Sequence, residues 1–299
     1  FVTTNSMTAA SEVKLAYSAS GTDNQKPKSS TGSGFAGDIT DQVVKNTIAP
    51  VEKSIEVTGT KQITLTYDAN ILASNINTTN SKAQYSIKID DGSAQNILSI
   101  SIVDKTVVFV IGASMSAASN VTFSYNPTGN DDEKPRTSGD GVAPGITKQV
   151  TTNTIAPVKQ SIEVTGPKEI SLTYDATIVA SDINSTNGKS QYTVKIGNTV
   201  ETIVSISILS SSKSVKFVTT NSMTAASEVK LAYWANGTDA NQKPKSSTGS
   251  GVAAAFGEAA VSNTIAPVKE SIQVTGPKEI TLTYDATIVA SDINSTNGK

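Results

Sequence analysis

The sequence predicts an all-β protein made of tandem β-sandwich domains, and three observations support this prediction. First, apolar and polar residues alternate in many segments, as in Glu169 to Asp175, where Ile170, Leu172 and Tyr174 share one face. This period of two is typical of a half-buried strand. Second, the chain is rich in Thr, Ser, Val and Ile, only 17% of its residues are charged, and no segment has helical periodicity. Such a composition favours strands and argues against a disordered chain.

The third observation is a long internal repeat. Phe1, Phe109 and Phe217 are each separated by 108 residues, and segments 153–189 and 263–299 are nearly identical. This period exceeds the roughly 20 to 50 residues of a solenoid repeat, so each unit is expected to have its own core. We predict the second half of a unit at 1–45, complete units at 46–152 and 153–262, and the first part of another unit at 263–299. The natural interpretation is a window cut from a longer array.

An alternative is that the two end pieces pair within an assembly to form one domain. Against it, neither end piece contains the counterpart of residues 190–216, which include two predicted strands. Near-identical units are also candidates for strand exchange between chains, because their edge strands are interchangeable.

The elements of one complete unit can be predicted in order. The linker NTIAPV at 153–158 is extended, because Pro157 favours an extended chain before it. Strands are predicted at 161–165, 169–175, 191–196, 200–209, 215–219 and 228–233, with a short last strand within 252–260. Turn signals such as Gly166-Pro167 separate them, whereas 176–189 and 236–251 are irregular connections. About seven strands in some 110 residues are typical of an immunoglobulin-like sandwich, here without its Cys–Trp–Cys signature.

Several short motifs occur in an order that resembles a known bacterial repeat. They are LTYDATI (172–178), YTVKIGNT (192–199), SVKFVTT (214–220), VKLAY (229–233) and NGTDANQKP (236–244), and the best match is VTFSYNPTGND (121–131). This order resembles the repeat associated with swimming and surface motility, and the wider Ig-like tandem repeats of giant bacterial surface proteins. The resemblance implies a secreted, multi-domain protein at the cell surface, and it supplies no catalytic residues.

The composition excludes several function classes. The chain has no Cys and no His, so disulfides, thiolate metal sites, Cys nucleophiles and a Ser-His-Asp triad are excluded. A net charge of -2 without a basic cluster argues against a nucleic-acid partner. No run of about 20 apolar residues is present, so we predict no membrane span in this segment. The chain is therefore predicted not to be an enzyme, and the resemblance to the motility-associated repeat implies an extracellular location.

Acidic residues give two candidate calcium sites, because calcium prefers several oxygen ligands. One is the loop 130–140 with Asp131 and Asp132, although the equivalent loops at 21–30 and 237–247 have one carboxylate each. The other consists of carboxylates that follow the repeated Tyr or lie seven residues further on: Asp175, Asp182, Asp285 and Asp292. Turn capping by Asp and Asn is the alternative for this second site. No other cofactor is predicted.

The linkers supply the predicted interdomain contacts. Ile48, Ile155 and Ile265 of the repeated NTIAP sequence are expected to dock at the junctions and to stiffen an elongated array. Trp234 is expected to point outward after inward-facing Tyr233. An exposed Trp is a candidate for stacking on a sugar or on a neighbour, while its occurrence in one copy of three also fits chance variation.

These features predict a structural repeat region of a bacterial extracellular filament, stalk or surface layer. Its partner would be itself, through self-association, and its role would be adhesion or motility. The first alternative is a ligand-binding adhesin module that recognises a surface carbohydrate or another cell. A second alternative is a non-catalytic repeat region attached to an enzyme elsewhere in the chain.

Overall fold

The computed structural model describes residues 1–208 and 213–289, and within them the protein is almost entirely β. The predicted all-β fold class is therefore confirmed. The chain divides into two compact units, and each contains the main strands of one predicted complete repeat.

The first unit comprises residues 1–115 and 120–152. Its strands are β1 Val13–Tyr17, β2 Ile39–Val44, β3 Glu52–Gly59, β4 Gln62–Tyr67, β5 Tyr85–Ile89, β6 Ile97–Val103, β7 Thr106–Ile111, β8 Val121–Tyr125, β9 Ile146–Val150 and, at the boundary between the two units, β10 Thr152–Asn153. Its helical turns are α1 Thr79–Lys82 and the 3₁₀ turns Asp23–Gln25 and Asp131–Glu133. The complete repeat forms one sheet in the order β10-β3-β4-β7-β6 and a second in the order β5-β8-β9, whereas β1 and β2 form a hairpin-like pair.

The second unit comprises residues 116–119 and the chain from Asn153 onward. Its strands are β11 Lys159–Gly166, β12 Glu169–Tyr174, β13 Ile178–Val179, β14 Tyr192–Ile196, β15 Thr199–Glu201, β16 Ile203–Ile208, β17 Ser214–Thr219, β18 Val229–Tyr233, β19 Lys245–Ser246, β20 Phe256–Ala260, β21 Ser262–Asn263, β22 Lys269–Gly276 and β23 Glu279–Tyr284. Its helical turns are α2 Thr186–Lys189 and the 3₁₀ turn Ala240–Gln242.

The complete repeat of the second unit is a two-sheet sandwich. One sheet has the order β16-β17-β12-β11-β21 and the other has the order β15-β14-β18-β20. If the main strands are lettered along the chain, the sheets read D-E-B-A and C′-C-F-G. This is the strand arrangement of an immunoglobulin-like sandwich. The short strand β21 adds to the outer edge of β11 in parallel, with Glu163 opposite Ser262 and Val164 opposite Asn263.

Alternating side chains of both sheets form a single core. In the β11–β12 hairpin, Ile162 lies opposite Leu172 and Val164 lies opposite Ile170, and all four are buried. They pack with residues of the facing sheet, namely Tyr192, Val194, Val229, Leu231 and Tyr233. Burial of such side chains contributes about 1.5–3 kcal/mol each, which makes this core the main source of stability.

Several predicted boundaries differ from the structure. The predicted irregular connection 176–189 contains β13 and the four-residue helix α2, which Ser185 caps by accepting a hydrogen bond from the Gly188 amide. The predicted strand 200–209 is two strands, β15 and β16, and Leu209 lies outside the described residues. The final strand begins at Phe256 rather than Val252. These short elements carry too few residues to produce a periodic signal.

The hairpin of the last segment has the same register as that of the complete repeat. In β22–β23, Ile272 lies opposite Leu282 and Val274 lies opposite Ile280, as their counterparts do in β11–β12. The local sequence therefore sets this register, because the same alternation and the same Gly-Pro turn occur in both places.

Candidate functional site at the repeat linkers

An Asn at the start of each NTIAP linker binds a turn of the preceding sequence. The Nδ2 group of Asn153 donates to the Ser116 and Ser119 carbonyls at 2.8 and 2.9 Å. Asn263 donates to the Thr224 and Ser227 carbonyls at 2.8 and 3.0 Å. Asn46 makes the same contacts with Thr8 and Ser11, at 2.8 and 2.9 Å. The sequence analysis predicted linkers at these positions but assigned no role to the Asn.

The bound turn has its own sequence signature, Met-Ser/Thr-Ala-Ala-Ser. At 116–119 the Ser119 amide donates to the Ser116 carbonyl at 3.1 Å, and the Ser116 amide donates to Ser119 Oγ at 3.0 Å. Equivalent pairs close the turns at 8–11 and 224–227. A Ser hydroxyl thus fixes each turn, and two carbonyls of the turn accept hydrogen bonds from the linker Asn.

The oxygen of the Asn side chain positions the linker Ile. The Oδ1 atom of Asn46, Asn153 or Asn263 accepts from the amide two residues later, at 3.1, 3.0 and 3.1 Å. These amides belong to the three residues predicted to make the interdomain contacts: Ile48, Ile155 and Ile265. This geometry is an Asx turn.

The Ile side chains themselves differ in burial. Ile48 is 38% exposed, whereas Ile155 and Ile265 are half-buried, and Ile265 packs against the core of the second unit. Their predicted stiffening role stays a prediction.

A glycine-containing loop covers the linker from the other side. A Cβ atom on Gly249 would lie 1.8 Å from the Asn153 carbonyl oxygen, and one on Gly251 would lie 2.0 Å from that of Ile155. In the first unit, Gly139 and Gly141 approach Asn46 and Ile48 in the same way, at 1.8 and 2.2 Å. Only glycine permits such an approach of two backbones.

The backbone and side chains of the glycine loop add further hydrogen bonds. The Ser250 amide donates to the Asn153 carbonyl at 2.9 Å. Thr248 Oγ1 donates to the Ala117 carbonyl at 2.6 Å, and Ser246 Oγ donates to the same oxygen. The linker is therefore held between the Ser/Thr turn and the glycine loop. We call this arrangement the linker clamp. It consists of the linker Asn, the turn that this Asn binds (116–119 or its counterparts 8–11 and 224–227) and the glycine loop.

The first unit uses an ion pair at the same place. Lys45, directly before Asn46, pairs with Asp140 between the two glycines, and Arg136 lies 3.2 Å from the same carboxylate. The hydrogen bond and the positive charge of Lys45 lower the pKa of the Asp140 carboxyl. Because both partners are more than half exposed, the pair contributes little to stability.

The strand-end Asp residues hold the end of the linker. The Val158 amide donates to Asp175 Oδ1 at 2.7 Å, and the Asp175 amide donates to the Val158 carbonyl at 3.0 Å. The other two repeats have the same reciprocal pair, Asp68 with Val51 and Asp285 with Val268. One carboxylate oxygen of each of the candidate calcium ligands Asp175 and Asp285 thus already accepts a backbone hydrogen bond.

The other calcium candidates that the structure describes, Asp131, Asp132 and Asp182, lie in hydrogen-bonded turns. Asp131 begins the 3₁₀ turn and pairs with Lys134 at 3.2 Å, while Asp132 accepts through its carbonyl from the Asn75 amide at 2.9 Å. The Asp182 amide donates to the Asn241 carbonyl at 2.9 Å, and Asp292 lies outside the described residues. Within 1–208 and 213–289, no three acidic side chains cluster as a metal site would require. Calcium binding stays a prediction.

Trp234 lies on the surface, as its position after Tyr233 predicted. Its side chain is 52% exposed, and its Nε1 donates to Thr193 Oγ1 at 3.3 Å on the neighbouring strand.

No helix in the part of the chain that the structure describes is long and apolar enough to cross a bilayer.

Together, the two-sheet fold and the recurring clamp define a tandem-repeat β-sandwich protein. The chain belongs to the family described as "Putative flagellar system-associated repeat", which matches residues 45–130 and 152–238, more than half of the sequence. The predicted resemblance to the motility-associated repeat is thereby confirmed. The sequence matches no curated protein.

The fold is also similar to parts of much longer solved structures. The N-terminal part of the bacterial S-layer protein SbsC is 8% identical with a TM-score of 0.29, covering 72% of this chain and 44% of that one. The BSP domain of a biofilm-associated protein is 11% identical with a TM-score of 0.21, covering 74% and 30%. Pullulanase type I from Bacillus subtilis is 10% identical with a TM-score of 0.21, covering 64% and 24%. The chain thus spans less than half the length of each of these three structures.

Proposed function

We propose that this chain is a structural repeat region of a bacterial cell-surface protein, in which sandwich domains transmit mechanical load along an extended array. The array has no catalytic role. It self-associates as a filament, stalk or surface layer that serves motility or adhesion. Membership of the motility-associated repeat family supports this assignment.

The linker clamp is the observation that carries the proposal. The same Asn contacts occur at 46, 153 and 263, and the same glycine contacts occur at 139 and 141 and at 249 and 251. An arrangement that recurs in every repeat can connect each repeat to the next, as an extended array of repeats requires. A binding or catalytic site needs to be present only once.

The sheet geometry also suits a load-bearing role. The first and last main strands of the second repeat, β11 and β20, lie in different sheets. A force applied at the two ends of the repeat therefore loads the hydrogen bonds of both sheets together. The parallel addition of β21 to β11 extends the hydrogen bonding of the first sheet as far as the next linker.

Single-molecule force spectroscopy of the whole chain tests the mechanical role. Each complete repeat should unfold in one step that releases about 390 Å of contour, because about 108 residues extend by at most about 3.6 Å each. Gly251→Ala should lower the unfolding force of one repeat, since its Cβ would lie 2.0 Å from the Ile155 oxygen. Gly257→Ala is the matched control, because nothing lies within 4 Å of the Cβ position.

Unfolding of the repeats at forces no higher than those that stretch an unstructured linker would contradict the mechanical role. Surface location needs a separate test, in which intact cells producing the native protein are treated with protease and labelled with antibody. Protection from protease until the cells are lysed would contradict the surface assignment.

The adhesin alternative depends on Trp234, whose ring is half exposed. Aromatic rings that lie flat and exposed are suited to stacking on the apolar face of a sugar. Binding to a glycan array that Trp234→Ala abolishes would favour this function. Equal glycan binding by the wild type and by Trp234→Ala would mean that another surface of the protein binds the glycan.

A further inference from the structure

Three buried tyrosines meet at one end of the sandwich in the first complete repeat. Tyr67 ends β4, Tyr85 begins β5 and Tyr125 ends β8, and they are 2%, 7% and 2% exposed. Tyr85 and Tyr125 lie directly opposite each other, with ring centroids 4.8 Å apart and an interplanar angle of 17°. Stacked rings from opposite positions project into the core side by side. Tyr67 belongs to the facing sheet, and its phenol is close enough to those of Tyr85 and Tyr125 to interact with them electrostatically.

None of these three hydroxyl groups has a hydrogen-bond partner among the described residues. A phenol hydroxyl both donates and accepts, and buried polar groups in folded proteins are nearly always paired. The core does accept Phe at this place, because Phe109 packs edge-on against Tyr85 with centroids 4.8 Å apart. Three unpaired hydroxyls where Phe would fill the space therefore require hydrogen-bond partners.

The second complete repeat contains the same arrangement. Tyr174, Tyr192 and Tyr233 are buried, and their hydroxyls also have no partner among the described residues. The Tyr192 and Tyr233 rings stack with centroids 4.8 Å apart at 21°. Two repeats with different surrounding sequences thus place three hydroxyls at equivalent positions.

A groove brings solvent to this end of the first repeat. It has a volume of about 350 Å³, and Tyr67 lines it together with Glu52, Ile146 and Gln149. Glu52 and Gln149 form its polar rim through a hydrogen bond of 2.9 Å. Water therefore reaches the wall formed by Tyr67 without unfolding of the sheets.

We propose that the tyrosine trio of each complete repeat binds one ordered internal water molecule. A buried water typically makes about three hydrogen bonds to otherwise unpaired polar groups, which equals the number of hydroxyls present. Burial raises the pKa of Tyr67 and Tyr125 above the ordinary value for tyrosine, and both phenols are neutral at physiological pH.

Oxygen-17 relaxation dispersion on the full chain counts long-lived internal waters and tests this assignment. Replacing Tyr67, Tyr85 and Tyr125 together with Phe should reduce the count by one, because the second trio is unchanged. The single variant Tyr125→Phe, which perturbs folding least, should lower the urea midpoint, because the water loses a partner. Tyr284→Phe is the control, since this counterpart of Tyr67 is only half-buried.

Two results would overturn the proposal. A higher urea midpoint for Tyr125→Phe would mean that the hydroxyl has no partner at all, since its removal would then relieve an unpaired buried group. A lower midpoint with an unchanged water count in both variants would mean that the hydroxyls bond to one another. A crystal structure of the chain with density for a water between the three oxygens would support the proposal directly.

Discussion

Replacing the linker Asn in the second unit should destabilise that unit more than any exposed polar substitution. The Asn153 side chain makes three hydrogen bonds, to the Ser116 carbonyl, the Ser119 carbonyl and the Ile155 amide, at 2.8, 2.9 and 3.0 Å. It is 1% exposed, so water cannot replace these bonds without opening the clamp. At about 1 kcal/mol net per bond, Asn153→Ala should cost roughly 3 kcal/mol.

The two linker Asn residues of the second unit should differ in how much stability their removal costs. Asn263 makes equivalent bonds but is half-buried, so water can satisfy part of the turn after its removal. Asn263→Ala should therefore cost about 1–2 kcal/mol, which is less than Asn153→Ala. Asn198→Ala, in an exposed turn, is the matched control and should stay within about 0.5 kcal/mol of wild type.

The variant Asn153→Asp separates the two functions of the side chain. Asp keeps the Oδ1 acceptor for the Ile155 amide but loses the donor, and it places a carboxylate against two carbonyl oxygens. We expect it to be at least as unstable as Asn153→Ala, while the Ile155 amide keeps its protection from hydrogen exchange. Urea unfolding and hydrogen exchange on the full chain measure both effects. Equal midpoints for Asn153→Ala and Asn198→Ala would refute the argument.

Three further predictions concern other parts of the repeat. Gly251→Ala should cost about 1–3 kcal/mol in urea unfolding, because its Cβ would lie 2.0 Å from the Ile155 oxygen, whereas Gly257→Ala should be neutral. Asp175→Ala should lower the melting temperature even with a chelator present, because the Val158 amide loses its 2.7 Å acceptor, while Asp175→Asn should retain stability. A loss in both variants that depends on added calcium would instead favour the calcium site. Finally, burial raises the pKa of Tyr67 and Tyr174, so their stabilising contribution is complete below pH about 10 and is lost above it. Above that pH, each of these tyrosines should make the free energy of unfolding fall by up to about 1.4 kcal/mol per pH unit. The same pH dependence in Tyr67→Phe as in the wild type would contradict this.

The strands were predictable from the sequence because alternation reports burial directly. Ile170, Leu172 and Tyr174 were placed on one face by their spacing, and all three are buried in the core. The short helix α2 escaped this reasoning, because four residues are close to one turn and show no periodicity. Its signal is local: Ser185 lies three residues before the Gly188 amide that it caps.

The clamp could not be predicted in the same way. Its residues are polar or lack a side chain, and the turns bound by Asn153 and Asn263 lie 34 to 39 residues away in the sequence. Hydrophobicity points to Ile155 as the important residue of the NTIAP linker. In the structure, the Asn153 side chain positions the Ile155 amide. The available signal was repetition: the Met-Ser/Thr-Ala-Ala-Ser turn occurs before each NTIAP, and a Gly-X-Gly loop follows in both complete repeats.

The first unit contains a complete clamp, and its contacts explain how such an array can extend. Asn46 holds the turn at Thr8 and Ser11, in the preceding partial repeat, while Gly139 and Gly141 of its own repeat enclose the backbone of the same linker. One short segment therefore belongs to the folded structure of two successive repeats. Any further repeat that carries these motifs can be added without a new interface. This requirement accounts for the preservation of NTIAP in every copy, while the strands between the linkers vary.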